Sequence, residues 1–328
     1  MYILHDNQSI EEIIPTTFSE LKMTESQMEE IIAANLNLIS DEEESMIIIG
    51  KQVKNSANGR SDLTAVDDKG NIVLIEIKRD KTDITNRKEN FESQAIRYAA
   101  SYATIKTVEE AVRIIYAPYL EKFAPHEVEP GSNSYENGLK TLNKFLGEQA
   151  ANTFNQTQRI VLIASDFDAQ TLSAAAWLSQ RGIDISCYKM IPYKYNEQRF
   201  LKMEKLLPLA TDEDYLVSLL EKSSPIKTPS GKRKQVLPKI KDMLEWKVVK
   251  PGDVLEAKDR DAPATLLANG NVIFNEEEMS MQSWLRKVYG WASVHTYVFA
   301  IHKEKGKSLA QIRAEYMESL EEFQQPEA

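Results

Sequence analysis

SDLTAVDDKGNIVLIEIKRD, residues 61–80, reads as two short strands joined by a tight turn. Ser61 to Val66 is the first strand and Asn71 to Lys78 the second, and Asp67-Asp68-Lys69-Gly70 has the composition of a hairpin turn. Side chains alternate along a strand, so Ile72, Leu74, Glu76 and Lys78 share one face and Val73, Ile75 and Ile77 the other. Both faces are apolar over the first half, as in a central strand covered on both sides. One face then changes from Leu74 to Glu76 and Lys78. Charges at the end of a buried strand are costly unless something pairs with them. Asp62 can meet Glu76 across the hairpin; adjacent carboxylates repel, and a divalent cation is the usual reason to place them together. Taken alone, Glu-x-Lys is equally compatible with a solvated strand end carrying a weak surface ion pair.

The flanking segments shift that balance. Upstream, TESQMEEIIAANLNLI is an amphipathic helix, about Glu25 to Ile39, with Thr24 as N-cap and with Glu25, Glu29 and Glu30 along it. Downstream, FESQAIRYAASYA is a second helix that sets Gln94, Arg97 and Tyr98 on one face. The order helix-Glu, Asp, Glu-x-Lys, helix-Gln resembles the PD-(D/E)XK nuclease superfamily, and more closely its NucS-like endonuclease branch with an SQA-x-x-YA helix. RIVLIASDFDAQTLSAAAWLSQRGIDISCYKM is similar to the second half of that catalytic domain, which extends the resemblance to about residue 200. The resemblance implies that Asp62 and Glu76, helped by the Ile77 carbonyl, hold Mg²⁺ or Mn²⁺. It implies that Lys78 orients the attacking water and stabilises charge, and that Gln94 positions the water or a phosphate oxygen. The upstream glutamate is Glu29, with Glu25 as the alternative. The implied products carry a 5′-phosphate and a 3′-hydroxyl.

Composition bounds the remainder. A chain of 328 residues, 42% hydrophobic and 27% charged, describes about two globular domains. Its one cysteine, Cys187, lies in an apolar run and reads as an inert core residue. No signal peptide and no membrane-length apolar run are visible, so a cytoplasmic protein without membrane contact is expected. A net charge of −10 disfavours indiscriminate DNA binding, although local Lys and Arg govern phosphate contact. The acidic run Asp41-Glu42-Glu43-Glu44 reads as a solvated loop. No G-x-x-x-x-G-K-[ST] loop is present to hold ATP.

In chain order, Met46 to Val53 reads as a strand, and Ala111 to Ala117 (AVRIIYA) as another. A long loop is expected over 118–136, then a helix from Asn137 to Glu148 and a strand from Arg159 to Ala164. Asp168 to Arg181 is a helix, with Ser165 or Asp168 as its cap rather than Asp166 and Asp168 as metal ligands. Ile183 to Ile191 is the last strand of the first domain. The predicted fold is α/β: a restriction-endonuclease-like mixed sheet flanked by helices, residues 1–205, plus a small α+β C-terminal domain.

Between them, residues 206–238 read as a basic linker, where SSPIKTPSGKRKQVLPKIK offers Lys232, Arg233 and Lys234 to phosphates or serves only for solubility. From 239 to 328 the sequence predicts a hairpin around Asn269-Gly270, a helix from Ser280 to Tyr289, Gly290-Trp291, and a final helix opening at Ser308. This pattern, closing on S-L-x-x-I-R, resembles the restriction-enzyme-adenine-methylase-associated domain. That resemblance implies DNA reading, with Trp284 and Trp291 able to stack on bases or to form the core. The expected function is therefore a Mg²⁺-dependent endodeoxyribonuclease, in restriction or anti-phage defence, with DNA as partner and a homodimer as one possible assembly. The alternative is a non-catalytic DNA-binding or scaffold protein on a nuclease fold.

Overall fold

The computed structural model describes residues 1–55, 59–80, 90–208 and 237–323. The chain divides into two compact units, Met1–Ala34 with Ile48–Arg233, and Asn35–Ile47 with Lys234–Ala328. The basic residues Lys232, Arg233 and Lys234 lie outside the described residues.

The first unit is mixed α/β. It opens with a two-stranded sheet, β1 (Tyr2–Leu4) and β2 (Ile10–Glu12), followed by helix α1 (Glu25–Ala34). Thr24 and Gln27 cap α1 reciprocally: Gln27 N–H donates to Thr24 Oγ1 (3.2 Å) and Thr24 N–H to Gln27 Oε1 (2.9 Å). α1 is shorter than expected, because the chain passes after Ala34 into a single 3₁₀ turn, Leu36–Leu38. Strands β3 (Met46–Lys54), β4 (Arg60–Asp67) and β5 (Ile72–Lys78) follow, then α2 (Phe91–Tyr102).

The apolar run AVRIIYA, expected as a strand, is helical instead. α3 (Val108–Ala111), a π-helical turn (Val112–Tyr116) and α4 (Ala117–Phe123) run on continuously through it. Val112, Ile115 and Tyr116 are buried while Arg113 and Ile114 are exposed, which is helical spacing. A short apolar run does not by itself distinguish strand from helix; the three-and-four spacing of its buried residues does. The loop expected over 118–136 accordingly contains α4 and a short 3₁₀ turn, Pro125–Glu127.

Next come α5 (Ser134–Asn152), β6 (Gln158–Ala164), α6 (Ala169–Gln180), β7 (Asp184–Tyr195) and β8 (Gln198–Leu207). The six strands β3 to β8 are ordered in sequence across one sheet. β5 pairs antiparallel with β4 and parallel with β6, β6 parallel with β7, and β7 antiparallel with β8. β5 is therefore central, and every residue in it is buried. β8 was not anticipated because seven of its ten side chains are exposed and none is buried, leaving no apolar alternation to read; it exists by pairing with β7 along the sheet edge. Asp168 caps α6, accepting from Gln170 and Thr171 N–H at 2.8 Å, and Asp166 pairs with Lys189 at 2.8 Å. Cys187 is fully buried, and burial pushes its thiol up to about 12.

The second unit holds α7 (Ile240–Glu245), β9 (Val254–Ala257), β10 (Ala264–Leu266), β11 (Asn271–Phe274) and β12 (Glu277–Ser280). It continues with α8 (Met281–Tyr289), α9 (Thr296–Phe299), β13 (Ala300–His302), β14 (Lys307–Ser308) and α10 (Leu309–Phe323). Its strands form a separate antiparallel sheet ordered β12-β11-β10-β9-β13-β14. The predicted hairpin, the helix opening at Ser280 and the helix start at Ser308 are present; the structure adds that Ser280 is the N-cap of α8 and Gly290 its C-cap, in the left-handed region (φ 71).

The acidic run before β3 is not a solvated loop. Glu44 is buried, and Glu43 receives two bonds from Arg313, 2.6 Å and 2.8 Å, so Asn35–Ile47 is built into the second unit. Among the described residues no helix is long and apolar enough to cross a membrane.

Candidate active site

The hairpin creates the site by its register. β4 and β5 pair through Leu63 with Ile75, and one step further Asp62 comes opposite Glu76. There Asp62 Oδ2 accepts the Ile77 N–H at 2.8 Å, so the carboxylate is tied to the backbone of the strand bearing Glu76 and Lys78. The turn that sets this register depends on Asp67, whose Oδ1 accepts from Lys69 and Asn71 N–H, and on Gly70. Gly70 has φ +83, and a Cβ there would lie 2.6 Å from the Ala150 carbonyl oxygen.

Glu76 is 0% exposed and Lys78 3%, which excludes a solvated strand end. The Lys78 ammonium donates to the Ile77 carbonyl (2.9 Å) and lies 3.8 Å from Asp62 Oδ2 and 3.9 Å from Glu25 Oε1. It also lies 5.5 Å from the centre of the Phe91 ring, at the start of α2.

α1 brings both candidate glutamates to the site, one turn apart. Glu29 is 2% exposed; Gln52 Nε2 donates to its Oε1 at 2.6 Å, and Lys51 Nζ is 3.8 Å from its Oε2. Burial, reinforced by the nearby Asp62 charge, raises its carboxyl to about 7. Glu25 is more exposed and pairs with Lys78. Glu29 is thus coupled to the carboxylate side of the site and Glu25 to the ammonium.

Gln94, half-buried on α2, donates through Nε2 to the Tyr98 hydroxyl (3.2 Å), which accepts the Arg60 N–H (2.9 Å) at the start of β4. One turn further, Tyr102 bonds the hydroxyls of Ser61 (2.6 Å) and Thr64 (2.7 Å), bracing β4 on both sides of Asp62. Burial pushes the Tyr102 hydroxyl up to about 12, and the Glu76 charge contributes to the shift. Gln52, Lys51 and Tyr102 were missed in the sequence. Gln52 has no local signal in the sequence; its φ of +55, uncommon for a strand glutamine, is visible only in the structure.

Two carboxylates and a peptide carbonyl are hard oxygen donors, suited to Mg²⁺ or Mn²⁺. Asp62 Oδ2, Ile77 O and Glu25 Oε1 already surround one cation, the Lys78 ammonium. Among the described residues no three Asp, Glu, His or Cys side chains group closely enough to form a metal cage. Mg²⁺ commonly takes one or two carboxylates and completes its shell with water and substrate oxygens, so this donor set fits.

In the second unit, Trp284 takes the core alternative and cannot stack on a base. It is 0% exposed and its Nε1 donates to the Ala262 carbonyl at 3.2 Å. Trp291 is half-buried against Tyr289 (centroids 5.0 Å) and Phe299 (5.5 Å). Tyr297 is also core; its hydroxyl accepts the Ile240 N–H at 2.7 Å. No family model matches this chain, and no curated protein does.

Proposed function

We propose that the chain is a metal-dependent endodeoxyribonuclease whose active site is built on Asp62, Glu76 and Lys78. The observation that supports this best is a fully buried carboxylate two residues from a buried ammonium, at the end of the central strand. A buried charged set contributes little to stability against apolar packing, so its presence at the end of a central strand points to function. Asp62, Glu76 and the Ile77 carbonyl would hold Mg²⁺ or Mn²⁺, which when bound acidifies water and neutralises charge on a phosphate. Lys78 places a positive charge beside Asp62, where it can hold a phosphate oxygen or the attacking water. For that role its ammonium turns from the Ile77 carbonyl toward substrate. Gln94, bonded to Tyr98, would position the attacking water or a phosphate oxygen.

The second unit is proposed to select DNA, in a restriction or anti-phage setting. The half-exposed Trp291, Tyr289 and Phe299 cluster, with Arg260 5.8 Å from the Tyr289 ring centre, is the surface that supports this. A non-catalytic DNA-binding role is the second reading, favoured by the Lys78 ammonium standing among the Asp62, Ile77 and Glu25 oxygens.

The test is plasmid cleavage by the purified chain with Mg²⁺, Mn²⁺ or EDTA, alongside Asp62→Ala, Glu76→Ala and Lys78→Ala. Metal-dependent nicking that each substitution abolishes is expected. Full activity in Asp62→Ala would overturn the site, and DNA binding without cleavage by the wild type would establish the second reading.

A further inference from the structure

Beside the candidate active site, the first unit holds a cleft of about 500 Å³. Its walls are β3, the start of β4, α1 and the end of α4, and its chemistry comes from the cations Lys51, Lys54, Arg60 and Lys122, one carboxylate, Glu30, and the Phe123 ring. The volume is that of a small-ligand pocket. Lys51 is partly neutralised, lying 3.8 Å from Glu29 and 3.4 Å from Glu30. Lys54, Arg60 and Lys122 enter no ion pair among the described residues. Three exposed cations on separate elements therefore converge on one concavity in an acidic protein.

The Phe123 ring is exposed at the cleft and is flanked by two ammoniums, Lys122 at 4.8 Å and Lys51 at 5.8 Å from its centre. An apolar ring beside a cluster of cations matches a ligand that has a planar face and a multiply charged anion a few ångströms apart. We propose that this cleft binds a nucleoside phosphate, the phosphate on Lys54, Arg60 and Lys122 and the base against Phe123. The cleft reaches the helix glutamate Glu29 through Gln52, which lines it and donates to Glu29 at 2.6 Å. With a nucleic-acid strand as source, and on that point the proposal rests on the nuclease reading, the cleft would seat a nucleotide flanking the cleaved bond. A free nucleotide presents the same chemistry.

The full chain is titrated, in EDTA so that nothing is cut, into 3′-fluorescein decathymidylate, and anisotropy is followed across a salt series. Lys54→Ala with Lys122→Ala should weaken binding tenfold or more and flatten the log–log salt dependence by about 1.4, two phosphate contacts at ~0.7 each. Phe123→Leu keeps apolar bulk but removes the planar face; it should weaken binding about tenfold and leave the salt dependence alone. All three side chains are exposed, so circular dichroism should show an intact fold. Competition by thymidine 5′-monophosphate assigns the cleft to a free nucleoside phosphate; competition only by unlabelled oligonucleotide assigns it to a strand. Unchanged affinity and salt dependence in the variants, or competition by neither ligand, overturns the proposal. Metal-dependent plasmid cleavage is scored separately: binding losses without wild-type cleavage sink the nuclease reading and leave the cleft, whereas cleavage with unaltered binding does the reverse.

Discussion

Glu76 and Lys78 carry opposite charges into a strand that is otherwise apolar and buried. The ammonium of Lys78 pairs with Asp62, and replacing both members of a buried ion pair is often neutral or stabilising by about 1–4 kcal/mol, whereas removing one strands the other. Asp62→Asn with Lys78→Met removes both charges and keeps an acceptor for the Ile77 N–H, so it should unfold in urea at an unchanged or higher midpoint while cleavage is lost. A large drop in midpoint would mean that the pair is structural. The two helix glutamates separate by their surroundings. Glu29 is buried, bonded to Gln52 and close enough to Asp62 for the charges to interact; Glu25 is a partly exposed partner of Lys78. Glu29→Gln should lower the metal-dependent rate more than Glu25→Gln. The opposite order, measured as kcat at saturating Mg²⁺, would transfer the role to Glu25.

The β4–β5 hairpin is the element on which the site depends, because its turn determines which residue faces Glu76. Gly70 has a positive φ and lies against the Ala150 carbonyl, so Gly70→Ala combines backbone strain with a clash that no flexible side chain can relieve. It should destabilise the fold by about 2 kcal/mol or more, read from urea unfolding. A shift below a few tenths would show that the turn can re-form without the close approach. At the other end, Tyr102 clamps Ser61 and Thr64. Tyr102→Phe should cost about 1–3 kcal/mol, because two buried hydroxyls lose a partner. It should also reduce cleavage while Asp62, Glu76 and Lys78 are unaltered. Unchanged stability and rate would remove the clamp from the account.

In the whole chain, the second unit is completed by residues some 200 positions from its body in sequence. Arg313, 3% exposed, grips Glu43 through two bonds, donates to the Pro238 carbonyl at 2.8 Å and stacks 4.5 Å from the Tyr297 ring centre. Glu42 contributes its carbonyl to the Thr296 N–H at 2.8 Å. A fragment of residues 237–323 alone should therefore fail to melt cooperatively, and Glu43→Ala in the full chain should cost about 3–5 kcal/mol. A fragment as stable as the intact unit would refute this. Burial raises the Glu43 carboxyl, but Arg313 and then His295 outweigh it and hold the group at about 2. A folded value below the ordinary 4.5 gives stability that is present above about 4.5 and is lost as pH falls toward 2. Glu43→Gln should flatten the acid limb of stability against pH between those values, and an unaltered limb would assign it elsewhere.

The local pattern of the chain was enough to place the hairpin, its turn, the central strand and the charged set at its end, because alternation and turn chemistry act over a few residues. The capping of α1 by Thr24 and of α6 by Asp168 was legible for the same reason. Helix against strand at Val112 to Tyr116 was misread because a short apolar run is compatible with either. β8 was invisible because an exposed edge strand is specified by its neighbour's hydrogen bonds, not by its own pattern. Only tertiary structure decided that Glu43 is a partner rather than part of a solvated loop, that Trp284 is core, and that Gln52 and Lys51 reach Glu29. In each case the determining group is distant in sequence, and an acidic or aromatic residue reads the same whether its partner is water or a buried side chain.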